Sequence, residues 1–276
     1  MTFTYLFLLG LATSLVTRYY LASRQIRHVW THRPTVPADF ADRISLPEHQ
    51  KAADYTIAKL RLGLFEVALS AAILVGFTLL GGLQALQEFT LRYLEPGVWQ
   101  QITLLLCISL ISGIIDLPFS WYRQFKLEEQ FGFNRMTLGL FCSDLIKGTL
   151  LGLVIGIPLL WVILTLMNQA GEFWWVWAWI VWMGFNALLL WLFPTFIAPL
   201  FNKFKPLEND SLKARIEELL QRCDFKSQGL FIMDGSKRSA HGNAYFTGLG
   251  KAKRIVFFDT LIERLNPEEI EAVLAH

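Results

Sequence analysis

Long apolar runs dominate the chain before Lys203. Five of them reach the length of about 20 mostly apolar residues that a bilayer-spanning helix needs. The first is uncharged over 1–17 and continues past Arg18 to about Ala22. Two more are uncharged, at 148–171 and 173–202, and the other two each hold one acidic residue, Glu66 in the run 62–87 and Asp116 in the run 96–122. The pattern predicts five transmembrane helices, with a kink at Pro158 and the fifth helix ending at Pro194.

The basic residues predict an orientation for these helices. The first run lacks a positively charged start, and Arg18 follows it rather than precedes it, so we expect a retained anchor and not a cleaved signal peptide. Lys and Arg concentrate after the first and third runs, at Arg18, Arg24, Arg27, Arg33, Arg43, Lys51, Lys59, Arg61, Arg123, Lys126, Arg135 and Lys147, whereas the opposite side holds Arg92. The positive-inside rule then places the N-terminus outside and residues 203–276 in the cytoplasm. The membrane would be the inner (plasma) membrane of a bacterium or the endoplasmic reticulum of a eukaryote.

Two features of the membrane part allow more than one interpretation. Glu66 and Asp116 could lie close to the interface and be hydrated, or they could face a water-filled interior, as in a transporter or a chambered enzyme. The stretch 126–147 mixes charges with large apolar residues. Taken alone, it predicts an interfacial helix that leads into the fourth span.

Composition agrees with a membrane protein and narrows the class. The chain of 276 residues is 54% hydrophobic and 17% charged, against about 45–50% and about 25% for soluble domains. This excludes disordered, collagen-like and disulfide-scaffold proteins, and the net charge of +2 gives no sign of a nucleic-acid partner. The cysteines are isolated and form no C-x-x-C pair, so a zinc ribbon is not supported. Charged residues become frequent after Lys203, which predicts a membrane domain at 1–202 and a second domain at 203–276.

The polar C-terminal part predicts two helices and three short strands. An amphipathic helix at 211–223, capped by Asp210 or Ser211, precedes β-type runs at 229–233 and 254–258. Turn residues flank a further strand at 243–247. Such a strand at a sheet edge could bind an extended peptide by strand addition, or it could be an ordinary hairpin strand.

The last predicted helix has strong start signals and no stop signal. Asn266 is expected to cap it, with Pro267 in its first turn and Glu269 completing a capping box. Three apolar residues, Ile270, Val273 and Leu274, are expected to form a buried stripe. The sequence stops at His276 while this stripe is still in progress, so we expect it to be truncated.

Several stretches together resemble the N-terminal part of the type I CAAX prenyl protease family, which are integral-membrane zinc metallopeptidases. They are L-E-E-Q-F-G-F-N-R at 127–135, D-L-I-K-G at 144–148, F-P-T-F-I-A-P-L-F-N-K-F-K-P-L at 193–207, D-G-S-K-R-S-A-H-G-N-A-Y-F-T-G at 234–248, K-R-I-V-F-F-D-T-L at 253–261 and E-E-I-E-A-V-L-A-H at 268–276. The matches extend over about half of the chain in the expected order. No one of them would be as specific alone.

The resemblance implies site residues. His276 would be the first histidine of H-E-x-x-H, a motif whose two histidines lie on one helical face and bind one Zn2+ while its Glu acts as general base. That Glu and the remaining ligands would follow His276, so the 276 residues alone are expected to be inactive. Asn243, Ala244, Tyr245 and Phe246 would form the edge strand that holds the substrate backbone. His241 would position that strand.

The resemblance also completes the predicted fold class and function. We expect an α-helical multi-span membrane protein with a small cytoplasmic α+β zincin-like segment, which holds an incomplete zinc-protease domain. The full product would be a membrane zinc endopeptidase that cleaves near the C-terminus of CAAX-type prenylated proteins or peptides. The alternatives are a protease of membrane-protein quality control and a non-catalytic transporter or scaffold. The expected partners are that peptide substrate and the lipid bilayer, without nucleic acid.

Overall fold

The structure is a computed structural model that describes residues 2–225, 227–248 and 253–275. The chain divides into two compact units, residues 1–131 and residues 132–276. Within the described residues, five helical segments are long and apolar enough to cross a membrane. They are Thr2–His32, Leu46–Thr78, Val98–Glu128, Leu138–Gln169 and Gly171–Phe201. The five predicted spans are therefore present.

The first unit is helical. It contains α1 (Thr2–His32), α2 (Leu46–Thr78), α3 (Gly82–Leu91) and α4 (Val98–Tyr122), and α4 continues as a π-helix over Arg123–Glu128. The start of α2 follows from its sequence, because Ser45 and Glu48 form a capping box and a proline occupies the first turn.

Charge pairing gives Glu66 a partner that the sequence pattern did not indicate. Both carboxylate oxygens of Glu66 accept hydrogen bonds from Nη2 of Arg123, at 2.6 Å each. Asp116 is exposed on α4. An ion-paired carboxylate costs less free energy in apolar surroundings than an unpaired carboxylate does. Glu66 is therefore a paired acid in this structure.

The second unit begins with two long helices and ends in a small α+β segment. The long helices are α5 (Leu138–Gln169) and α6 (Trp174–Leu192), and α6 continues through a π-helix at Phe193–Ile197 into α7 (Ala198–Phe201). The prediction that Pro194 ends the fifth span was wrong. A π-turn has room for a residue that cannot donate the usual hydrogen bond, so the helical path continues to Phe201. Pro158 lies inside α5, which is one continuous helix from Leu138 to Gln169.

The interfacial helix predicted within 126–147 was wrong for its middle part. Gly132 adopts a φ of +76°, which ends the preceding helical path. Phe133 and Arg135 then pair with the loop at 238–240, through Ala240 N to Phe133 O at 2.9 Å and Arg135 N to Arg238 O at 3.1 Å. Helix resumes only where Thr137 caps α5 by accepting a hydrogen bond from Leu140 N.

The α+β segment is a four-stranded sheet covered by helices. Its elements are β1 (Phe204–Pro206), α8 (Asp210–Arg222), β2 (Leu230–Met233), β3 (Ala244–Thr247), β4 (Arg254–Phe258), α9 (Asp259–Arg264) and α10 (Pro267–Ala275). The strand order is β1-β2-β4-β3, with β2 and β4 parallel and the other pairs antiparallel. The prediction that Asp210 or Ser211 caps α8 was wrong: the cap is Asn209, whose side chain accepts a hydrogen bond from Leu212 N.

One face of the sheet forms the core of this segment. Its members are apolar side chains of the sheet and of the helices α8, α9 and α10, together with Leu207. They are Leu207, Leu212, Ile216, Leu230, Ile255, Phe257, Leu261 and Ile270. Successive side chains of a strand point to opposite faces, so Ile255 and Phe257, two residues apart on β4, both enter this core. The core therefore fixes β4, and β4 fixes β3 beside it.

Candidate functional site

The strand predicted at 243–247 is β3, and it lies at one edge of the sheet. Its register pairs Ala244 with Phe257 and Phe246 with Ile255. Phe258 N donates to Asn243 O at 2.9 Å, so Asn243 faces β4 with its backbone carbonyl. Antiparallel ladders alternate between paired and outward-facing residues. The backbone N–H and C=O groups of Ala244 and Phe246 therefore point away from β4, toward the open edge.

The two outward-facing residues differ in what they can offer a ligand. Ala244 N already donates to the side chain of its neighbour, to Asn243 Oδ1 at 2.9 Å. No described residue accepts from the outward-facing N–H of Phe246. Phe246 also exposes 68% of its surface, although it is a large aromatic residue in a strand. The most available point of the edge is therefore Phe246.

A groove of about 430 Å3 runs along this edge. Ala244, Tyr245 and Phe246 line one side of it. The rest of the lining is mostly apolar and comes from α8, from the turn after it, from β4 and from the end of α10. These residues are Leu219, Leu220, Cys223, Phe225, Ile255, Val273, Leu274 and Ala275. The groove thus combines exposed backbone groups with apolar walls, which suits an extended peptide.

The sequence patterns gave no indication of the α8 side of this groove. Phe225 follows the end of α8, and its ring meets the Phe246 ring edge-on, with centroids 5.8 Å apart. Lys253 lies over the Phe225 ring, with its Nζ 4.4 Å from the centroid. The amphipathic pattern of α8 could have identified a helix packed on the sheet. It could not have shown that Phe225 reaches the opposite edge, because that contact depends on the sheet order.

The end of α10 forms the second wall, and its start signals act as predicted. The Asn266 side chain accepts from Glu268 N and Glu269 N, both at 3.0 Å, and Asn266 N donates to Glu269 Oε2. Ile270 is buried. Val273 was wrongly predicted to be buried: it is 44% exposed and lines the groove. The core needs only one side of this short helix, which leaves Val273 free for the groove.

The predicted metal ligand His276 lies outside the described residues. Ala275, directly before it in the sequence, lines the groove. Among the described residues no group of three or more His, Cys, Asp or Glu side chains could hold a metal ion. The described residues therefore do not by themselves fit a zinc site, and the assignment of His276 stays a prediction.

His241 is held in the approach to β3. Its ring stacks on Phe133, with centroids 4.2 Å apart. Thr260 Oγ1 donates to its backbone carbonyl at 2.8 Å. Two residues farther along the chain, Asn243 makes the first ladder contact of β3. These contacts suit a residue that positions the strand.

An arginine that the sequence analysis did not single out anchors the same loop. Arg238 donates to both carboxylate oxygens of Asp144 on α5, from Nε at 2.7 Å and from Nη2 at 2.9 Å. It also donates to Asn202 Oδ1 at 2.5 Å and to Phe201 O at 2.8 Å. One guanidinium thus joins the loop before β3 to α5 and to the end of α7. We call these residues, Arg238, Asp144, Asn202 and Phe201, the arginine anchor.

Tyr245 occupies the opposite face of β3. It lines a small cavity of about 80 Å3 with Pro194, Ala198 and Val256, and its hydroxyl lies 3.8 Å from Met233 Sδ. Burial raises the pKa of the Tyr245 phenol above its ordinary value of 10.0. The neutral ring is favoured, because the charged form would lose its hydration.

This burial predicts how stability depends on alkaline pH. In the unfolded chain Tyr245 ionises near its ordinary pKa, whereas in the folded chain it stays protonated to higher pH. Between these two values the folded state binds more protons, so stability falls as the pH rises. Tyr245→Phe should therefore lose less stability than the wild type between about pH 9 and about pH 11. Chemical unfolding at both pH values tests this, and equal losses would contradict it.

Comparison with known families divides the chain into two matched regions. Residues 25–203 match the family model described as the CAAX prenyl protease N-terminal region with five membrane helices. Residues 206–276 match the model of peptidase family M48. The two stretches follow each other with only a short gap.

Named relatives give the same result. CAAX prenyl protease 1 of Saccharomyces cerevisiae is 36% identical over 272 residues, which cover 93% of this chain and 59% of the relative. The CAAX prenyl protease 1 homolog of Homo sapiens is 33% identical over 251 residues, covering 88% of this chain and 53% of the relative. The crystal structure of S. mikatae Ste24p superposes with a TM-score of 0.88 at 34% identity, over 96% of this chain and 64% of that one. The chain thus spans 53–64% of the length of these relatives.

Proposed function

This chain belongs to the CAAX prenyl protease family of M48 peptidases and is an integral multi-pass membrane protein, and we propose that it serves as the membrane and substrate-binding part of a zinc endopeptidase. The observation that carries the proposal is the shared groove. The open edge of β3 and the end of α10 line the same cavity, at Phe246 on one side and at Ala275 on the other. A peptide held on β3 would then lie beside the helix on which the family motif would begin.

The peptide would bind as an added strand. Its backbone would exchange hydrogen bonds with the outward-facing N–H and C=O of Phe246. Peptide side chains that point into the groove would contact Phe225 and Leu274, and alternate ones would point to the other face. This fixes the register of the peptide along α10. The buried Ile270 and the capping box at Asn266 hold α10 in place while the peptide binds.

The metal enters this proposal through His276 alone. A bound Zn2+ supplies the hydrolytic chemistry of such proteases by activating water, and His276 would be one of its ligands. A single imidazole cannot build a catalytic zinc site. A polypeptide of these 276 residues by itself should therefore show no chelator-sensitive hydrolysis.

The test is peptide hydrolysis by the protein expressed from its intact gene. We expect cleavage near the C-terminus of a prenylated CAAX peptide, and we expect a zinc chelator to abolish it. His276→Ala should also abolish it, while the matched His241→Ala should keep a measurable rate, because the His241 ring stacks on Phe133 and its expected role is to position β3. Full activity of His276→Ala would overturn the proposal. Equal cleavage of an unprenylated membrane peptide would instead indicate a role in membrane-protein quality control.

We further propose the orientation that the basic residues indicate, with the N-terminus outside and residues 203–276 in the cytoplasm. Cys223 is exposed in that segment, so it can report the side. In a Cys107→Ser, Cys142→Ser background placed in a bacterial inner membrane, a membrane-impermeant maleimide should label Cys223 only after the spheroplasts are permeabilised. Labelling of sealed spheroplasts would contradict this orientation.

A further inference from the structure

We propose that the first unit binds an anionic phospholipid in a basic groove between α1 and α2. The groove has a volume of about 1030 Å3. Arg18, Arg24, Arg27 and Lys59 line it, and this set is what we call its basic residues. The inference does not depend on the protease activity, since every one of these residues lies outside the second unit.

The charge of the groove is uncompensated. Its described lining contains four Lys or Arg side chains and neither Asp nor Glu. Where the structure describes this region, none of the four basic residues forms a salt bridge, and the Nζ of Lys59 lies over the ring of Tyr55, 4.9 Å from its centroid. By contrast, the neighbouring Arg33 pairs with Asp54 at 2.7 Å. The cation directly after the end of α1 thus pairs with an acid, whereas the described cations that line the groove do not, which favours an anionic ligand.

The groove is also apolar along part of its length. Leu21 on α1 and Leu60, Leu64 and Val67 on α2 line it beside the cations. A small soluble anion gains nothing from apolar walls, whereas the acyl chain of a lipid is stabilised by packing against them. Charge complementarity together with this lining therefore favours a phospholipid over free phosphate.

The position along the helices fits a headgroup at the membrane surface. Both helices are long and apolar enough to cross a bilayer. At a rise of about 1.5 Å per residue, Arg18 and Arg27 lie about 14 Å apart along α1. A phosphate near Arg24, Arg27 and Lys59 would leave Arg18 deeper, where its long side chain can extend toward the headgroup. In the proposed orientation, the groove opens on the cytoplasmic leaflet, which carries anionic lipids.

Lipid retention measured by native mass spectrometry tests the proposal. The protein would be reconstituted in bilayers of equal parts phosphatidylcholine and phosphatidylserine, then released and weighed with its bound lipids. The wild type should retain phosphatidylserine in preference. In the variant Arg24→Gln, Arg27→Gln, Lys59→Gln, the ratio of retained phosphatidylserine to retained phosphatidylcholine should fall by about tenfold. The control Arg43→Gln, Arg61→Gln, Lys126→Gln removes the same charge elsewhere and should keep it.

A second variant keeps every cation and fills the space. Gly63 lines the groove, and a Cβ added there meets no atom within 4 Å. Gly63→Leu should therefore fold, and leucine is also a better helix former than glycine. The Gly63→Leu variant should retain less phosphatidylserine, because the leucine side chain occupies the space that the lipid acyl chain would fill. Unchanged phosphatidylserine retention in Gly63→Leu would overturn the proposal that the lipid lies in this groove. An equal loss of retention in the control variant would overturn it in favour of diffuse attraction to the membrane surface. Displacement of the lipid by millimolar inorganic phosphate would overturn it in favour of a simple anion site.

Discussion

Replacing Phe246 by proline should weaken the binding of an extended peptide by roughly 30-fold relative to Phe246→Ala. Both variants remove the exposed ring, so the comparison isolates the backbone. Proline lacks an N–H, and its ring occupies the place where the added strand would approach. Because the N–H of Phe246 points away from β4, the ladder between β3 and β4 keeps its hydrogen bonds.

The experiment measures peptide affinity by fluorescence polarisation on purified full-length protein. Phe246→Ala by itself should weaken binding less, since it loses only the apolar contact with Phe225. Tyr245→Pro serves as a structural comparison, because its N–H faces β4 and its loss should disrupt the strand itself. If the Pro and Ala variants at position 246 bind alike, the peptide is not added as a strand at this point.

Removing Arg238 should lower the free energy of unfolding by about 2–3 kcal/mol. Its side chain is 21% exposed and that of Asp144 is 19% exposed, so Arg238→Ala leaves a carboxylate largely removed from water and without its partner. Arg238→Lys should recover only part of the loss, because an ammonium cannot reproduce the forked hydrogen bonds to Asp144 and the bonds to Asn202 and Phe201. The arginine anchor also precedes β3, so peptide affinity should fall with stability.

A matched arginine and a double-mutant cycle separate this effect from general charge loss. Arg222 pairs with Glu271 at 2.9 Å, but its side chain is 59% exposed, so Arg222→Ala should cost no more than about 1 kcal/mol. Thermal unfolding of Arg238→Ala, Asp144→Ala and the double variant should give a coupling of about 2 kcal/mol. Additive effects at these two residues would show that the anchor does not act as a unit.

Hydropathy and start signals predicted the elements, whereas the contacts between them could not be predicted. Five spans, the strand at 243–247 and the Asn266 cap depend on neighbours within a few residues, so local patterns contain them. Pro194 misled because a π-turn can accommodate proline. Val273 misled because its helical position is that of a buried residue, and only the packing of α10 shows that the core stops short of it.

The groove along the open edge of β3 depends on the order of the strands in the sheet. Phe225 meets Phe246 only because β3 lies at the edge beside β4, and no period in the sequence determines that order. The partners of Arg238 are similarly distant, with Asp144 on α5 and Asn202 beyond α7. A basic residue in a loop predicts exposure by default, so the anchor had no local signal.

The pairing of Phe133 and Arg135 with the loop at 238–240 has a consequence for synthesis on the ribosome. The two partners are separated by about a hundred residues, which take on the order of ten seconds to translate. During that delay α5 and α6 must already enter the membrane, while residues 133–136 have no partner. The alternative helix that this stretch favours locally can then form first. Its conversion when residue 240 emerges would make the closing of this loop a late and slow step in maturation.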